Sequence, residues 1–131
     1  MQVLLIDDSS TSRLHTKLAL MQALPGIAIA EVASGLEAQA WLQLNNTDLC
    51  ICDLEMDNGD GIELIQWMRS RPAFQGTRVL VHSSYVDVLV KAVLNRHQPI
   101  GFLAKPATAS EIHAAVVALW QDVRERALAL A

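Results

Sequence analysis

Four polar signals close apolar runs in this chain. Asp7-Asp8 follows Val3-Leu4-Leu5-Ile6, and Asp53 follows Leu49-Cys50-Ile51-Cys52. Ser83 ends the run that starts at Arg78, and Lys105-Pro106 follows Gly101-Phe102-Leu103-Ala104. Three carboxylates drawn to one place repel one another and stay ionised only beside a cation. Magnesium suits such hard oxygen donors and keeps positions open for phosphate oxygens. With an ammonium and a hydroxyl added, the set has the chemistry of a divalent-cation and phosphoryl site. Each residue alone has an ordinary reading: Asp7-Asp8 as a helix N-cap, Asp53 as a turn opener, Ser83 as a cap for the next helix, Lys105 as a solvated lysine. The ordered combination, each member at its own strand end, is what those readings leave unexplained.

The elements that must position these residues alternate regularly. Strands are expected at Val3 to Asp7, Ile27 to Val32, Leu49 to Asp53, Arg78 to Ser83 and Ile100 to Ala104. Helices are expected between and after them. Ser9-Ser10-Thr11 offers N-cap hydroxyls to the first, with Leu14, Leu18, Met21 and Leu24 as its apolar stripe and Pro25-Gly26 as its stop. The second runs from Gly35 to Leu44, with Leu36, Ala40 and Leu44 on one face. Asn58-Gly59-Asp60-Gly61 reads as a turn before a third helix carrying Ile62, Ile65 and Met68. Val86 to Leu94 reads as the fourth, and Thr108-x-x-Glu111 as the capping box of the last. Unbroken apolar strands separated by helices point to a parallel sheet covered on both faces. The fold class expected is α/β, a flavodoxin-like doubly wound (βα)5 unit with strand order 2-1-3-4-5. In that order strands 1 and 3 lie side by side at the switch point, where ligands bind beyond the strand carboxyl ends.

The remaining composition sets limits. A chain of 131 residues is one domain, and 52% hydrophobic with 18% charged residues argues against disorder. A net charge of −4 with scattered basic residues disfavours nucleic acid as a direct partner. No apolar run reaches the roughly 18 residues of a membrane span. Met1 leads directly into a strand pattern, which leaves no room for a signal peptide and makes the cytoplasm the expected location. Cys50 and Cys52 share a strand face without a second ligand pair, so they read as buried, reduced core residues rather than a zinc site.

Asp7-Asp8-Ser9-Ser10-Thr11-Ser12-Arg13, Asp53-Leu54-Glu55-Met56-Asp57-Asn58-Gly59-Asp60-Gly61, Ser83 and Gly101-Phe102-Leu103-Ala104-Lys105-Pro106 together resemble the receiver domain of two-component response regulators. The resemblance runs from residue 2 to about 120. It implies that Asp53 is the phosphoacceptor for a phosphohistidine on a sensor histidine kinase or phosphotransfer protein. It further implies that Asp7, Asp8, Asp53 and the Glu55 backbone carbonyl hold Mg²⁺, that Lys105 and Ser83 meet phosphoryl oxygens, and that Ser83 and Phe102 act as a switch. The switched surface would be the helix 4, strand 5 and helix 5 face. By the same resemblance the Lys105-Pro106 bond is expected to be cis. The protein would be no enzyme beyond its own phosphorylation and dephosphorylation.

Residues 1–122 are read as the receiver unit and 123–131 as an extension of the last helix. On that extension Val123, Leu128 and Leu130 offer a surface for homodimerisation or domain coupling. The chain departs from the family at Met56-Asp57, where Met-Pro is common, and Glu55 and Tyr85 stand where receivers tune phosphoryl lifetime. His82 reads as a packed strand-end histidine; His15, His97 and His113 read as surface or packing residues. Rival readings are a small aspartate-nucleophile phosphohydrolase, for which the chain has no spare residues to build a cap, a receiver-like interaction module that no longer takes phosphate, and a flavin domain, whose phosphate the carboxylates would repel.

Overall fold

The computed structural model describes the backbone of residues 1–56 and 60–130, and side chains within 1–56 and 61–121. Strands β1 (Gln2–Ile6), β2 (Ala28–Val32), β3 (Leu49–Cys52), β4 (Arg78–Ser83) and β5 (Ile100–Ala104) alternate with helices α1 (Ser10–Ala23), α2 (Gly35–Leu44), α3 (Asp60–Arg69), α4 (Val88–Leu94) and α5 (Ala109–Leu130). A short 3-10 turn, Pro72–Phe74, links α3 to β4. All pairings are parallel, in the order β2-β1-β3-β4-β5. The expected fold class is therefore the one observed.

The strands read as continuous apolar runs because alternate residues enter two different cores. Leu4, Ile6, Cys50, Cys52, Val79 and Val81 meet one layer of helices, where Ala38, Leu42, Leu64, Ile65 and Met68 are buried. Val3, Leu5, Leu49, Ile51 and Leu80 meet the other, where Leu20, Ile112, Val116 and Leu119 are buried. Each fully buried Leu or Ile contributes about 1.5–3 kcal/mol relative to exposure.

The helix faces correct the sequence reading in two places. On α1, Leu14, Leu18 and Met21 are more than half exposed, whereas Thr16 and Leu20 are buried. On α2, Leu36 and Leu44 are exposed and Ala40 faces solvent, whereas Gly35, Ala38 and Leu42 pack inward. Both helices carry two apolar stripes. The one holding small residues lets the helix sit close to the sheet, and periodicity alone does not distinguish the two. Helix α4 begins two residues later than expected: Asp87, not Ser83, caps it, accepting from the Leu89 N–H at 2.7 Å. Leu89 is exposed there, and Val86 and Val90 pack on the core. The stop after α1 is as read, with Gly26 at φ +84°. So is the capping box: the Thr108 Oγ1 accepts from the Glu111 N–H at 3.2 Å, and Glu111 returns a carboxylate to the Thr108 N–H at 3.1 Å. The side chains of Val123, Leu128 and Leu130, and the loop position Asp57, lie outside the described residues.

Candidate functional site

Sheet register builds the site. Ile6 pairs with Cys52, and Cys52 with Val81, so the residues that follow stand at one level. The ladder continues one step past the strands: the Asp53 N–H donates to the Ile6 carbonyl at 3.0 Å and the Lys105 N–H to the Ser83 carbonyl at 2.9 Å. Asp7, Asp53, Ser83 and Lys105 are thereby carried to one edge by backbone geometry. The Lys105-Pro106 bond is cis, as expected.

The Lys105 ammonium is the hub. Its three N–H groups meet three oxygens: Asp7 Oδ2 at 2.6 Å, Ser12 Oγ at 2.7 Å and Asp53 Oδ2 at 2.8 Å. Asp53 is only 7% exposed, and its other oxygen accepts from the Glu55 N–H at 2.8 Å and the Ser83 hydroxyl at 3.0 Å. Asp7, 2% exposed, also accepts from the Ser9 N–H at 2.9 Å. Burial pushes the Asp7 carboxyl up, but the bonds from Lys105, Ser12 and the Ser9 N–H together hold it below its ordinary value. For Lys105 burial works against the charge, and the two carboxylates outweigh it, so its ammonium is held above the usual range.

The other expected residues fall around this centre. Asp8 is exposed, and its carboxylate makes no hydrogen bond among the described residues. Glu55 is exposed beside Asp53, as is Tyr85 beyond Ser83. Phe102 is half-buried against the core of α3 and α4, with the Lys91 ammonium 5.2 Å from its ring centroid. His82 is buried, with Nδ1 2.9 Å from the Leu103 carbonyl, and burial lowers its pKa, which is the packed strand-end role expected of it.

Among the described residues no three acidic, histidine or cysteine side chains converge on one point. Asp7 and Asp53 turn instead to Lys105. The Asp7 and Asp53 carboxylates around it offer hard oxygens, which is the chemistry that Mg²⁺ takes with several waters retained. They therefore fit that ion.

Two residues of the site were not found from sequence. Ser12 supplies the third acceptor to Lys105, and the Arg13 guanidinium donates to the Asp7 carbonyl at 2.6 Å. Ser12 follows the Ser9-Ser10-Thr11 run that reads as capping and has no role of its own in that reading; Ser9 does cap α1. The available signal was its place one turn into α1, on the side of Asp7.

Known proteins share this sequence pattern and fold. The sequence matches the family described as response regulator receiver domain over residues 3–117. It is 39% identical over 89 residues to the transcriptional regulatory protein UhpA of Salmonella typhimurium, covering 67% of this chain and 42% of that one. It is 32% identical over 117 residues to the transcriptional activator protein ExaE of Pseudomonas putida, covering 88% and 53%. A gliding motility regulatory protein of Myxococcus xanthus is 38% identical over 84 residues, covering 64% of this chain and 11% of its own length. The chain thus spans about half or less of these relatives. A response regulator structure from Chloroflexus aurantiacus superposes with a TM-score of 0.80 at 27% identity, covering 90% of this chain and 95% of that one. The chemotaxis response regulator CheY4 of Vibrio cholerae shares the fold, with a TM-score of 0.79 at 24% identity over 90% and 97% of the two chains. A register-built edge with a buried aspartate, a lysine and a serine, on a chain matched along most of its length, makes this protein a member of the response regulator receiver domain family.

Proposed function

We propose that Asp53 accepts a phosphoryl group from a phosphohistidine of a sensor histidine kinase or phosphotransfer protein. The observation that carries this is the setting of Asp53: a carboxylate 7% exposed, with Lys105, Ser83 and the Glu55 N–H on its two oxygens. A carboxylate oxygen attacks phosphorus, the nitrogen–phosphorus bond breaks, and an acyl phosphate forms. Asp7, Asp8, Asp53 and the Glu55 carbonyl would hold Mg²⁺, which neutralises charge on the transferring oxygens when bound. Lys105 would exchange its Asp53 oxygen for a phosphoryl oxygen, and the Ser83 hydroxyl would donate to another.

The switch follows from the same bond. Drawing Ser83 toward the phosphoryl group vacates space on the side where Phe102 packs, and the α4–β5–α5 face would respond. We assign residues 1–122 to this unit and 123–131 to an extension of α5 suited to self-association. The receiver catalyses only its own phosphorylation and dephosphorylation in this reading.

The test is intact-mass measurement after incubation with Mg²⁺ and a small phosphodonor. One phosphoryl group per chain is expected, with none on Asp53→Asn and slower labelling of Lys105→Ala. Equal labelling of Asp53→Asn would refute the assignment.

A further inference from the structure

The opposite pole of the sheet holds a second cluster of charge. Basic residues look scattered in the sequence, but no acid stands between Glu63 and Asp87, or between Asp87 and Glu111. The fold brings part of this segment together where α3 and α4 end and β4 and β5 begin. There Arg69, Arg96 and His97 line a hollow of about 490 Å³ with Gln66, Gln75 and Gln98, and no carboxylate is among its lining residues.

Arg69 is held rigidly. Its Nε donates to the His97 carbonyl at 2.9 Å, one terminal nitrogen to the Phe74 carbonyl at 2.8 Å and the other to the Pro99 carbonyl at 2.9 Å. A guanidinium has five N–H groups, so two remain without a partner among the described residues. Neither Arg69 nor Arg96 belongs to an ion pair among those residues, and all the observed pairs use Arg13, Lys17 or Lys105. Burial lowers the His97 pKa, and the guanidiniums of Arg69 and Arg96 lower it further, so both charges reach the ring.

The ordinary role for Arg69 is a clamp that ties α3 to the turn before β5, its charge met by carbonyls and helix ends. The C-termini of α3 and α4 each supply a partial charge of about half a negative unit, roughly one unit against two guanidiniums. They do not neutralise two guanidiniums. On a chain of net charge −4, a hollow with two cations, an imidazole, amide donors and no acid is suited to a multiply charged anion.

We propose that this hollow is a binding site for a tetrahedral oxyanion such as a phosphate group, separate from the Asp53 edge and independent of its phosphorylation. Arg69 would offer its two spare N–H groups from a fixed frame, and the exposed Arg96 would close over the anion.

The experiment is a titration of the ¹⁵N-labelled chain with inorganic phosphate, with chelator present and ionic strength matched with chloride. The chelator removes metal from the Asp53 edge. Saturable shifts are expected at the amides of residues 66–75 and 95–99 and at the Arg69 Nε. In Arg96→Gln, a surface change that leaves the fold intact, affinity should fall by about two- to fivefold, the scale expected for one exposed charge contact. Non-saturable shifts, shifts equal in chloride, shifts unchanged in Arg96→Gln, or shifts confined to residues around Asp53 and Lys105 would each overturn the proposal and leave an adventitious ion only.

Discussion

Replacing Lys105 with Met tests the electrostatics of the site directly. Methionine keeps much of the aliphatic stem and deletes the ammonium. Asp7 and Asp53 then face each other without the shared cation that stands 2.6 Å and 2.8 Å from them. At an effective dielectric of about 20, each contact is worth about 6 kcal/mol before desolvation. Desolvation of all three groups offsets most of that, but the mutation removes only one of them. Breaking a buried pair by deleting one partner typically costs about 3–5 kcal/mol. The lysine side chain is 16% exposed, against 3% and 8% for the two carboxylates. Solvent reaches the lysine, so about 2–4 kcal/mol is expected.

The assay is urea denaturation at pH 7.5 in chelator, comparing midpoints at constant slope. The pH dependence supplies a second arm. Asp7 is held below its ordinary value in the folded protein, so its pairing stabilises the fold above that ordinary value, and the stabilisation is lost as pH falls through the folded pKa. The gap between wild type and Lys105→Met should therefore narrow below about pH 4. Equal stability of the two proteins at pH 7.5 would show that the ammonium is effectively solvated, and the account of the site would fail.

Gly61→Ala should destabilise. A methyl there would lie 2.6 Å from the Asp53 carbonyl oxygen and 3.0 Å from the Leu54 Cα, and overpacking against backbone costs about 1–3 kcal/mol, more than the 0.5–1 kcal/mol or so that alanine gains in a helix; a more stable variant by urea denaturation would show that α3 shifts freely. His82 is buried with its pKa lowered, so the unfolded chain binds the proton more readily and stability should fall as pH drops below about 6.5; His82→Asn should show a shallower loss between pH 7.5 and 5.5, and parallel curves would reject this. Burial pushes the Cys50 thiol up to about 12 and raises Cys52 still further, so native protein should resist alkylation until denatured, and rapid modification of the folded chain, read by mass, would contradict the buried placement.

The strands were legible because both cores demand apolar residues, so β4 and β5 match their sequence limits residue for residue. The site was legible for the same reason. A polar residue ending a fully buried strand has no place to go but the edge, and the register sets Asp7 beside Asp53. Helix faces were less so. Leu14, Leu18 and Met21 keep perfect helical spacing, yet the sheet takes Thr16 and Leu20. Spacing records that a stripe exists, and only the distance of closest approach decides which stripe packs. The expected start of α4 at Val86 falls two residues early because Val86 packs on the core from the loop, and Asp87 caps the helix after it.

Ser12 shows what residue types cannot reveal. An ammonium has three N–H groups, and two carboxylates answer only two of them with these distances. Counting donors against acceptors at Lys105 requires coordinates, and the count closes only with the Ser12 hydroxyl at 2.7 Å. That closure has a consequence for the proposed chemistry. If a phosphoryl group forms on Asp53, the bond from Lys105 to the Asp53 carboxylate is the one that must be given up. Its replacement, a phosphoryl oxygen, carries more charge and makes a stronger bond. Asp7 and Ser12 need not move, so the lysine is anchored at two points while its third partner is exchanged. A lysine held by Asp53 alone would have to be re-ordered at each phosphorylation, at a cost of up to about 2 kcal/mol in side-chain freedom. In the proposed phosphotransfer, the Ser12 hydroxyl, to which the sequence reading gives no role, would let the ammonium follow the phosphoryl group without leaving its seat.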